Sequence, residues 1–251
     1  MTIRQWHLTS GEPVAAGHDH PAQDLAEPGR ADPEVAVVEQ EPQADHAGQA
    51  RSFQPHVLDQ PDTQCVNSTM FGDVETYLTN TAPQFMQKNF NAGTTPGSLA
   101  MAGLSEGGLC SVTLALNNSR QIRSSPDYSG DESPTYQYTS KQQTIQALFG
   151  GSLAAYNARN PRYLLMHQRY PGLAGWFEVG ARDSESLQPI PTLHGLASKA
   201  GIGTCIATPP GGHDFGLWKQ AFSDSLPWLS RRLKLTPQPP SVPAHCVPGT
   251  N

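Results

Sequence analysis

The chain is predicted to fold as an α/β domain in which helices cover the faces of a mostly parallel β-sheet. Short apolar stretches alternate with helical ones from about residue 53 to residue 235, and this alternation is typical of strand–helix–strand units. A glycine-rich junction, Gly103–Gly108, lies between one such strand and the helix after it. A second glycine-rich loop, Pro209–Asp214, precedes the last helix of the region. The sequence therefore predicts one domain, at residues 53–235, with an extension at each end.

The predicted elements follow one another along this domain. The predicted strands are short and mostly apolar; they are 53–58, 98–102, 122–128, 174–179 and 204–208. The predicted helices are 73–90, 106–116, 141–149, 187–200 and 215–233. Asp73 is expected to cap the first helix, because its carboxylate can accept hydrogen bonds from the first turn. Pro83 is expected to kink or interrupt that helix, since proline has no N–H group to donate.

The two ends of the chain differ in composition from the domain. Residues 1–52 hold nine acidic and three basic residues, which account for the whole net charge of −6. With one aromatic residue, Trp6, this acidic, proline-containing segment is expected to be disordered, because so few apolar side chains cannot offset the entropy of ordering. The triplet His18–His20 is interpreted as solvated side chains, so no metal site is expected there. Residues 236–251 contain five prolines and are expected to form a proline-rich tail.

Several classes of function find no support in the sequence. Residues 53–251 carry 13 basic and 13 acidic side chains without a Lys/Arg cluster, so nucleic-acid binding is not expected. No run of about 18 apolar residues is present, and residues 1–30 lack the apolar centre of a signal peptide, so neither a membrane segment nor export is predicted. The cysteines show no zinc-ligand spacing and are interpreted as small buried or free thiols; they are Cys65, Cys110, Cys205 and Cys246.

The junction Gly103–Gly108 has the features of a nucleophile turn. It reads Gly-Leu-Ser-Glu-Gly-Gly, follows a predicted strand and opens a predicted helix. A nucleophilic serine must project from a sharp, strained turn, and small residues two positions before and after it let the two backbones approach. Ser105 is therefore the candidate nucleophile. The backbone N–H of Glu106, at the start of the helix, is the expected first oxyanion donor.

The base that takes the serine proton should lie on a loop at the carboxyl edge of the sheet. His213 lies in the loop Pro209–Asp214, whose glycines leave the backbone free to place the imidazole ring. A surface or helix-capping histidine is the other interpretation. The serine turn favours the catalytic one.

The acid should follow the strand between these two elements, because this class of fold has the chain order serine, acid, histidine. Asp183 is the first choice and Glu185 the alternative, since both follow the predicted strand 174–179. Glu178 lies within that strand and is the least suitable. A helix cap or a first-turn charge is the competing interpretation for the two loop acids, and it has most weight for Glu185.

Several ordered blocks of the sequence resemble an esterase family of actinobacteria, which is related to esterase D, the enterochelin esterases and the antigen-85-type mycolyltransferases. The blocks are AGLSEGGLCSVTLAL, DYSGDESPT, WFEVGARDSE, PPGGHDFGLWKQAFSDSLPWLSRRL and, upstream of them, DTQCVNSTMFGDVETYLTNTAPQF. The resemblance covers residues 53–235 and implies an α/β-hydrolase fold, a three-layer sandwich. It also implies hydrolysis of carboxylic esters, or acyl transfer, on a small-molecule, lipid or sugar ester, without a metal or an organic cofactor.

Position by position, the resemblance puts the nucleophile on Ser105, the base on His213 and the acid on Asp183, where relatives have either Asp or Glu. Cysteines recur in such proteins at the positions of Cys65 and Cys110, which implies a disulfide between them in an oxidising compartment. The relatives are proteins of the cell envelope or are secreted.

The sequence also departs from this family. Relatives begin with several strands and a loop that supplies the second oxyanion N–H, and residues 1–52 contain nothing similar, so the N-terminal strands are expected to be missing or replaced. Losing one oxyanion donor costs about 10²–10³-fold in turnover. Two hypotheses therefore stand: a serine esterase or acyltransferase, or a truncated, catalytically impaired hydrolase-fold protein that is a binding module or a non-functional remnant.

Overall fold

The predicted α/β class is confirmed by a computed structural model, which describes residues 34–38, 63–90, 92–235 and 246–247. The described strands form a six-stranded sheet of order β1-β4-β5-β6-β7-β8 and a hairpin of β2 with β3. The strands are β1 Glu34–Val38, β2 Asn67–Ser68, β3 Gly72–Asp73, β4 Leu99–Leu104, β5 Ile122–Tyr128, β6 Ala174–Glu178, β7 Gly203–Ala207 and β8 Cys246–Val247. All pairs in the large sheet are parallel except that of β7 with β8. The strand predicted at 53–58 lies outside the described residues.

The helices alternate with these strands as predicted, with additions in the second half of the domain. They are α1 Val74–Thr76, α2 Ala82–Phe90, α3 Glu106–Asn117, α4 Lys141–Phe149, α5 Leu153–Asn157, α6 Pro161–His167, α7 Pro189–Lys199 and α8 Phe215–Arg232. The short helices α5 and α6 were not predicted. Ser152 caps the first of them and Asn160 the second, and Pro161 occupies the first helical position of α6.

The first predicted helix is divided where a break was expected. A π-helical turn, Tyr77–Thr81, separates α1 from α2, and Pro83 lies at the second residue of α2. Proline has no N–H to donate to the preceding turn, and that turn is the one with π-helical rather than α-helical hydrogen bonds. The capping prediction for Asp73 was wrong: Asp73 precedes α1, but its side chain makes no capping hydrogen bond.

The core lies on both faces of the sheet, which gives the three layers of a sandwich. Along β6, Trp176 belongs to the apolar cluster beneath α8, whereas Phe177 belongs to the cluster beneath α6 and α7. Successive side chains of a strand point to opposite faces, so this strand is buried on both sides. A third cluster packs α1 and α4 against α3. No helix among the described residues is long and apolar enough to cross a membrane.

One strand lies inside the segment that was expected to have no regular structure. β1 pairs in parallel with β4, and its last residue, Val38, is in register with Gly103. The carboxyl ends of parallel neighbours meet at one edge of the sheet. The chain therefore leaves β1 beside the turn that carries Ser105.

Candidate active site

Ser105 lies on a sharp turn between β4 and α3. Its backbone has φ = 52°, in the left-handed region that is unfavourable for residues other than glycine, and its N–H donates to the carbonyl of Tyr128 at 2.9 Å. A Cβ on Gly103 would collide with the backbone of Gly107, so the strand and the helix can approach this closely only with glycine there. The local sequence thus holds the serine hydroxyl clear of both elements.

His213 approaches this serine from the loop between β7 and α8. Its Nε2 lies 3.0 Å from the Ser105 Oγ, although 108 positions separate the two residues in the chain. Asp214 follows it and caps α8 by accepting a hydrogen bond from the N–H of Leu217 at 3.0 Å. Trp218 packs against the imidazole in a T-shaped arrangement, with the ring centroids 4.9 Å apart at 87°. The cap and the indole fix where the ring can lie.

Asp183 completes the line on the other side of the imidazole. Its Oδ2 lies 3.1 Å from the His213 Nδ1, and its Oδ1 accepts hydrogen bonds from the backbone N–H groups of Glu185 and Ser186 at 3.1 and 3.0 Å. Burial favours the protonated form of this fully buried carboxyl, but the nearby Ser129 hydroxyl and the hydrogen bonds from Ser186 and His213 outweigh burial and lower its pKa. Asp183 is therefore ionised at neutral pH.

The charge of Asp183 sets the state of the histidine. An ionised carboxylate can only accept, so the proton on the neutral imidazole lies on Nδ1. Nε2 is then left as the acceptor for the hydroxyl of Ser105, 3.0 Å away. This tautomer is the one in which a histidine can remove a proton from a serine.

The loops that carry the acid and the base are joined by their backbones. The N–H of Ala181 donates to the carbonyl of Pro209, and the N–H of Arg182 donates to the carbonyl of Gly211, both at 2.8 Å. A Cβ on Gly180 would lie 2.5 Å from that same Gly211 oxygen. Close backbone contact, rather than side-chain packing, therefore sets the distance between Asp183 and His213.

The two other acidic candidates occupy different places. Glu185 is half-exposed, and its Oε2 lies 3.9 Å from Nε2 of His213, on the side of the ring that faces Ser105. Glu178 is buried on β6, where it accepts a hydrogen bond from the Trp176 indole at 2.8 Å. Burial raises its pKa to about 7. Neither reaches the Nδ1 atom that Asp183 holds.

Ser186 is a site residue that the sequence analysis missed. Its N–H donates to Asp183, and its hydroxyl donates to the carbonyl of Ser129 at 2.7 Å, which ties the acid loop to the end of β5. The signal was present, because an aspartate followed three residues later by serine is a common turn in which the carboxylate accepts local N–H groups.

All four cysteines are joined in two disulfides. Cys65 is bonded to Cys110 of α3, with a Cα–Cα distance of 5.6 Å, and Cys205 of β7 is bonded to Cys246 of β8. The interpretation of Cys205 and Cys246 as unpaired thiols was wrong; the antiparallel register of β7 and β8 sets the two residues opposite each other. Sequence spacing alone could not reveal this pairing, since β8 lies in the segment that was predicted to be a proline-rich tail.

Glu106, the residue after the candidate nucleophile, holds Thr63 and Gln64 against the start of α3. The carboxylate of Glu106 accepts a hydrogen bond from the N–H of Gln64 at 2.7 Å and from the hydroxyl of Thr63 at 3.4 Å. Among the described residues, Cys65, Glu106 and Cys110 form the one group close enough to hold a metal ion. The sulfurs of Cys65 and Cys110 are bonded to each other, so these two cysteines are not thiolate ligands.

The resemblance calls for two oxyanion donors, one at the start of α3 and one upstream of β4. The backbone N–H of Glu106 begins α3 directly after Ser105. A donor from the chain that follows β1 would come from residues 39–62, which lie outside the described residues.

The chain has a parallel sheet between helical layers, a serine on a strained turn and a histidine beside that serine at the edge of the sheet. These features define it as a member of the α/β-hydrolase superfamily. Residues 16–229 match the model of the family described as "Putative esterase". The chain therefore belongs to this esterase family.

Several known proteins resemble this chain. A protein of Corynebacterium glutamicum described as uncharacterized is 32% identical over 174 residues, which are 67% of this chain and 40% of the relative. S-formylglutathione hydrolase from Agrobacterium tumefaciens has a TM-score of 0.58 at 18% identity, over 68% of this chain and 63% of that one. FphF of Staphylococcus aureus, a fluorophosphonate-binding serine hydrolase, has a TM-score of 0.56 at 16% identity, over 67% and 68%. These two structures share the fold.

Proposed function

We propose that this protein is a serine hydrolase that cleaves carboxylic esters through an acyl-enzyme on Ser105. The observation that carries the proposal is the unbroken line from the Ser105 hydroxyl through His213 to Asp183, with contacts of 3.0 and 3.1 Å. Membership of the esterase family supports the same class of reaction. The name of the similar S. aureus protein, a fluorophosphonate-binding serine hydrolase, supports a reactive serine.

In the first half of the proposed reaction, the Ser105 oxygen bonds to the ester carbonyl carbon while Nε2 of His213 takes the hydroxyl proton. The bond from that carbon to the alcohol oxygen then breaks, and the imidazolium returns the proton to the leaving alcohol. Asp183 stays ionised and stabilises the imidazolium through Nδ1. The acyl group is left on Ser105 as an ester.

In the second half of the reaction, water hydrolyses the acyl-enzyme by the corresponding steps. Its oxygen bonds to the acyl carbon, His213 takes one of its protons, the bond from carbon to the Ser105 oxygen breaks, and the proton returns to the serine. The negative oxygen formed in each half faces the start of α3, where the N–H of Glu106 and the positive end of the helix stabilise it. Ester and water are thus converted to acid and alcohol.

The proposed acyl-enzyme can be tested directly. A fluorophosphonate probe should label the intact protein once, on a peptide that contains Ser105. The S105A variant should lose the label and about 10⁶-fold of its turnover of p-nitrophenyl acetate, since removing the nucleophile disables the whole unit. Labelled peptides would be identified by mass spectrometry.

The matched control is S223A, which removes an exposed hydroxyl from α8 and should label and turn over like the native chain. A protein that has native circular dichroism, yet neither reacts with the probe nor releases p-nitrophenol, would contradict the proposal. That outcome would instead support the alternative of a binding module with an impaired site.

A further inference from the structure

A second carboxylate faces the reacting nitrogen of the histidine. Oε2 of Glu185 lies 3.9 Å from Nε2 of His213, and the same nitrogen lies 3.0 Å from Oγ of Ser105. Asp183 occupies Nδ1 on the far side of the ring. Glu185 therefore has no access to the position of the triad acid and lies where molecules approach the serine.

The distance itself indicates what fits between the two groups. At 3.9 Å the carboxylate is too far from Nε2 for a direct hydrogen bond, whereas one water molecule can bridge groups at this separation. Such a water would donate one proton towards Nε2 and the other to Glu185. The side chain of Glu185 is 57% exposed, so water can reach it from solvent.

We propose that Glu185 selects water over alcohols as the acyl acceptor and so directs the acyl-enzyme towards hydrolysis. The proposal rests on the acyl-enzyme at Ser105 described above. Water has two O–H groups, so it can donate one to His213 and the other to the carboxylate. A monohydric alcohol has a single O–H, which the reaction itself requires, and would place its carbon substituent against Glu185.

The bonds and protons balance in this step. The oxygen of the bridging water bonds to the acyl carbon, its first proton moves to Nε2, and its second stays on the new carboxylic acid while hydrogen-bonded to Glu185. The bond between the acyl carbon and Oγ of Ser105 then breaks, and the imidazolium returns the first proton to that oxygen. Glu185 remains a carboxylate throughout and holds the water without taking a proton.

The backbone keeps Glu185 in this place independently of its side chain. Its N–H donates to Oδ1 of Asp183 at 3.1 Å, and the next residue, Ser186, donates to the same oxygen. Substitution of the Glu185 side chain leaves both bonds in place. E185A and E185Q are therefore expected to fold normally and to keep the line from Ser105 to Asp183.

The test is the partition of the acyl-enzyme between water and methanol. p-Nitrophenyl acetate is turned over in buffer containing methanol, and acetic acid and methyl acetate are quantified by NMR. E185A should raise the ratio of methyl acetate to acetic acid about tenfold, through slower hydrolysis rather than faster methanolysis, because it removes one hydrogen bond to a charged group. E185Q keeps an uncharged acceptor and should give a smaller increase.

The rate of acylation separates the proposed role of Glu185 from a purely structural effect, because a structural effect would lower that rate as well. The second-order rate constant for p-nitrophenol release should fall less than twofold in E185A, since the leaving alcohol does not need Glu185. The control is D73N, which removes an equal charge at the β2–β3 hairpin and should leave the partition as in the native protein.

An unchanged partition in E185A would overturn the proposal, and so would an equal fall of acylation, hydrolysis and methanolysis, which would mean that Glu185 only positions His213. Failure of the proposed function gives a different result, because the native protein would then neither react with the fluorophosphonate probe nor form methyl acetate in amounts that depend on Ser105.

Discussion

Two buried aspartates at neighbouring strand ends of the sheet have opposite protonation preferences. Asp127 lies near the end of β5 and Asp183 follows β6, and both side chains are fully buried. Burial pushes the pKa of each upwards, yet the net pKa of Asp127 is raised well above its ordinary value whereas that of Asp183 is lowered. Neither side chain is exposed to solvent, but Asp127 is more deeply surrounded by protein than Asp183, so burial accounts for part of the difference.

The hydrogen-bond donors around each carboxyl also contribute to the difference in pKa. Asp127 accepts one N–H, from Gly130 at 2.9 Å, its Oδ2 has no partner among the described residues, and nearby Asp131 raises its pKa further. Asp183 accepts two backbone N–H groups and the imidazole. Donors that favour the charged form can outweigh desolvation. The pKa is thus lowered at Asp183, the carboxyl that must be ionised in the proposed mechanism, and raised at Asp127.

The largest expected effect follows from neutralising each aspartate in turn. D183N should lower kcat for p-nitrophenyl acetate about 10⁴-fold, because the amide can hold the imidazole in the wrong tautomer. D127N replaces a buried carboxyl, whose pKa is raised, with a neutral group of similar shape away from the imidazole, and should change kcat less than about threefold. Steady-state kinetics at pH 7.5 measures both.

Thermal unfolding of the two variants provides the control, since both should melt as single folded species. Comparable losses of activity in D183N and D127N would show that the ionised state of Asp183 has no special part in the reaction.

The elements around the site could be predicted because their signals are local. Three elements each have an apolar pattern with a glycine or a cap at the boundary: the strand before Ser105, the helix after it and the strand before Asp183. The structure has all three at nearly the predicted residues. Chain order then indicated which acid to prefer. Glycine at 103 reflects a local backbone contact with Gly107, whereas glycine at 180 reflects a contact with Gly211, whose place beside it one sequence does not locate.

Other features depend on partners that are remote in the sequence. β1 has four apolar residues after Glu34 in a polar segment, and such a short run becomes a strand only when a neighbour such as β4 pairs with it. The bond between Cys205 and Cys246 depends on the same kind of pairing. The position of Glu185 against Nε2 of His213 depends on the turn that Asp183 makes with its own backbone. Hydrophobic periodicity carries none of this information.

A third buried carboxyl, that of Glu178, should make the stability of the protein depend on pH. Glu178 has the Trp176 indole as its donor, and burial raises its pKa from 4.5 to about 7. Below pH 4.5 it is protonated in both the folded and the unfolded chain; between pH 4.5 and about 7 the unfolded chain loses the proton first, so this residue lowers stability as the pH rises. The slope is at most about 1.4 kcal/mol per pH unit.

E178Q should remove this contribution, so its free energy of unfolding should match the native value at pH 4 and exceed it above pH 7. Urea unfolding of both proteins from pH 4 to pH 8 measures the difference. A constant difference across that range would show that Glu178 is ionised in the fold despite its burial, and the number of donors would no longer separate the three carboxyls.

The smallest expected effect tests whether the donors to Asp183 must be held in place. S186A keeps the N–H that Asp183 accepts but removes the hydroxyl that donates to the carbonyl of Ser129 at 2.7 Å. Loss of this buried bond should cost about 1 kcal/mol in the free energy of unfolding. S184A, an exposed change in the same loop, is the matched control and should cost almost nothing. If S186A lowers stability no more than S184A in urea unfolding, the acid loop holds its shape without the β5 strand end, and Asp183 owes its low pKa to the local turn alone.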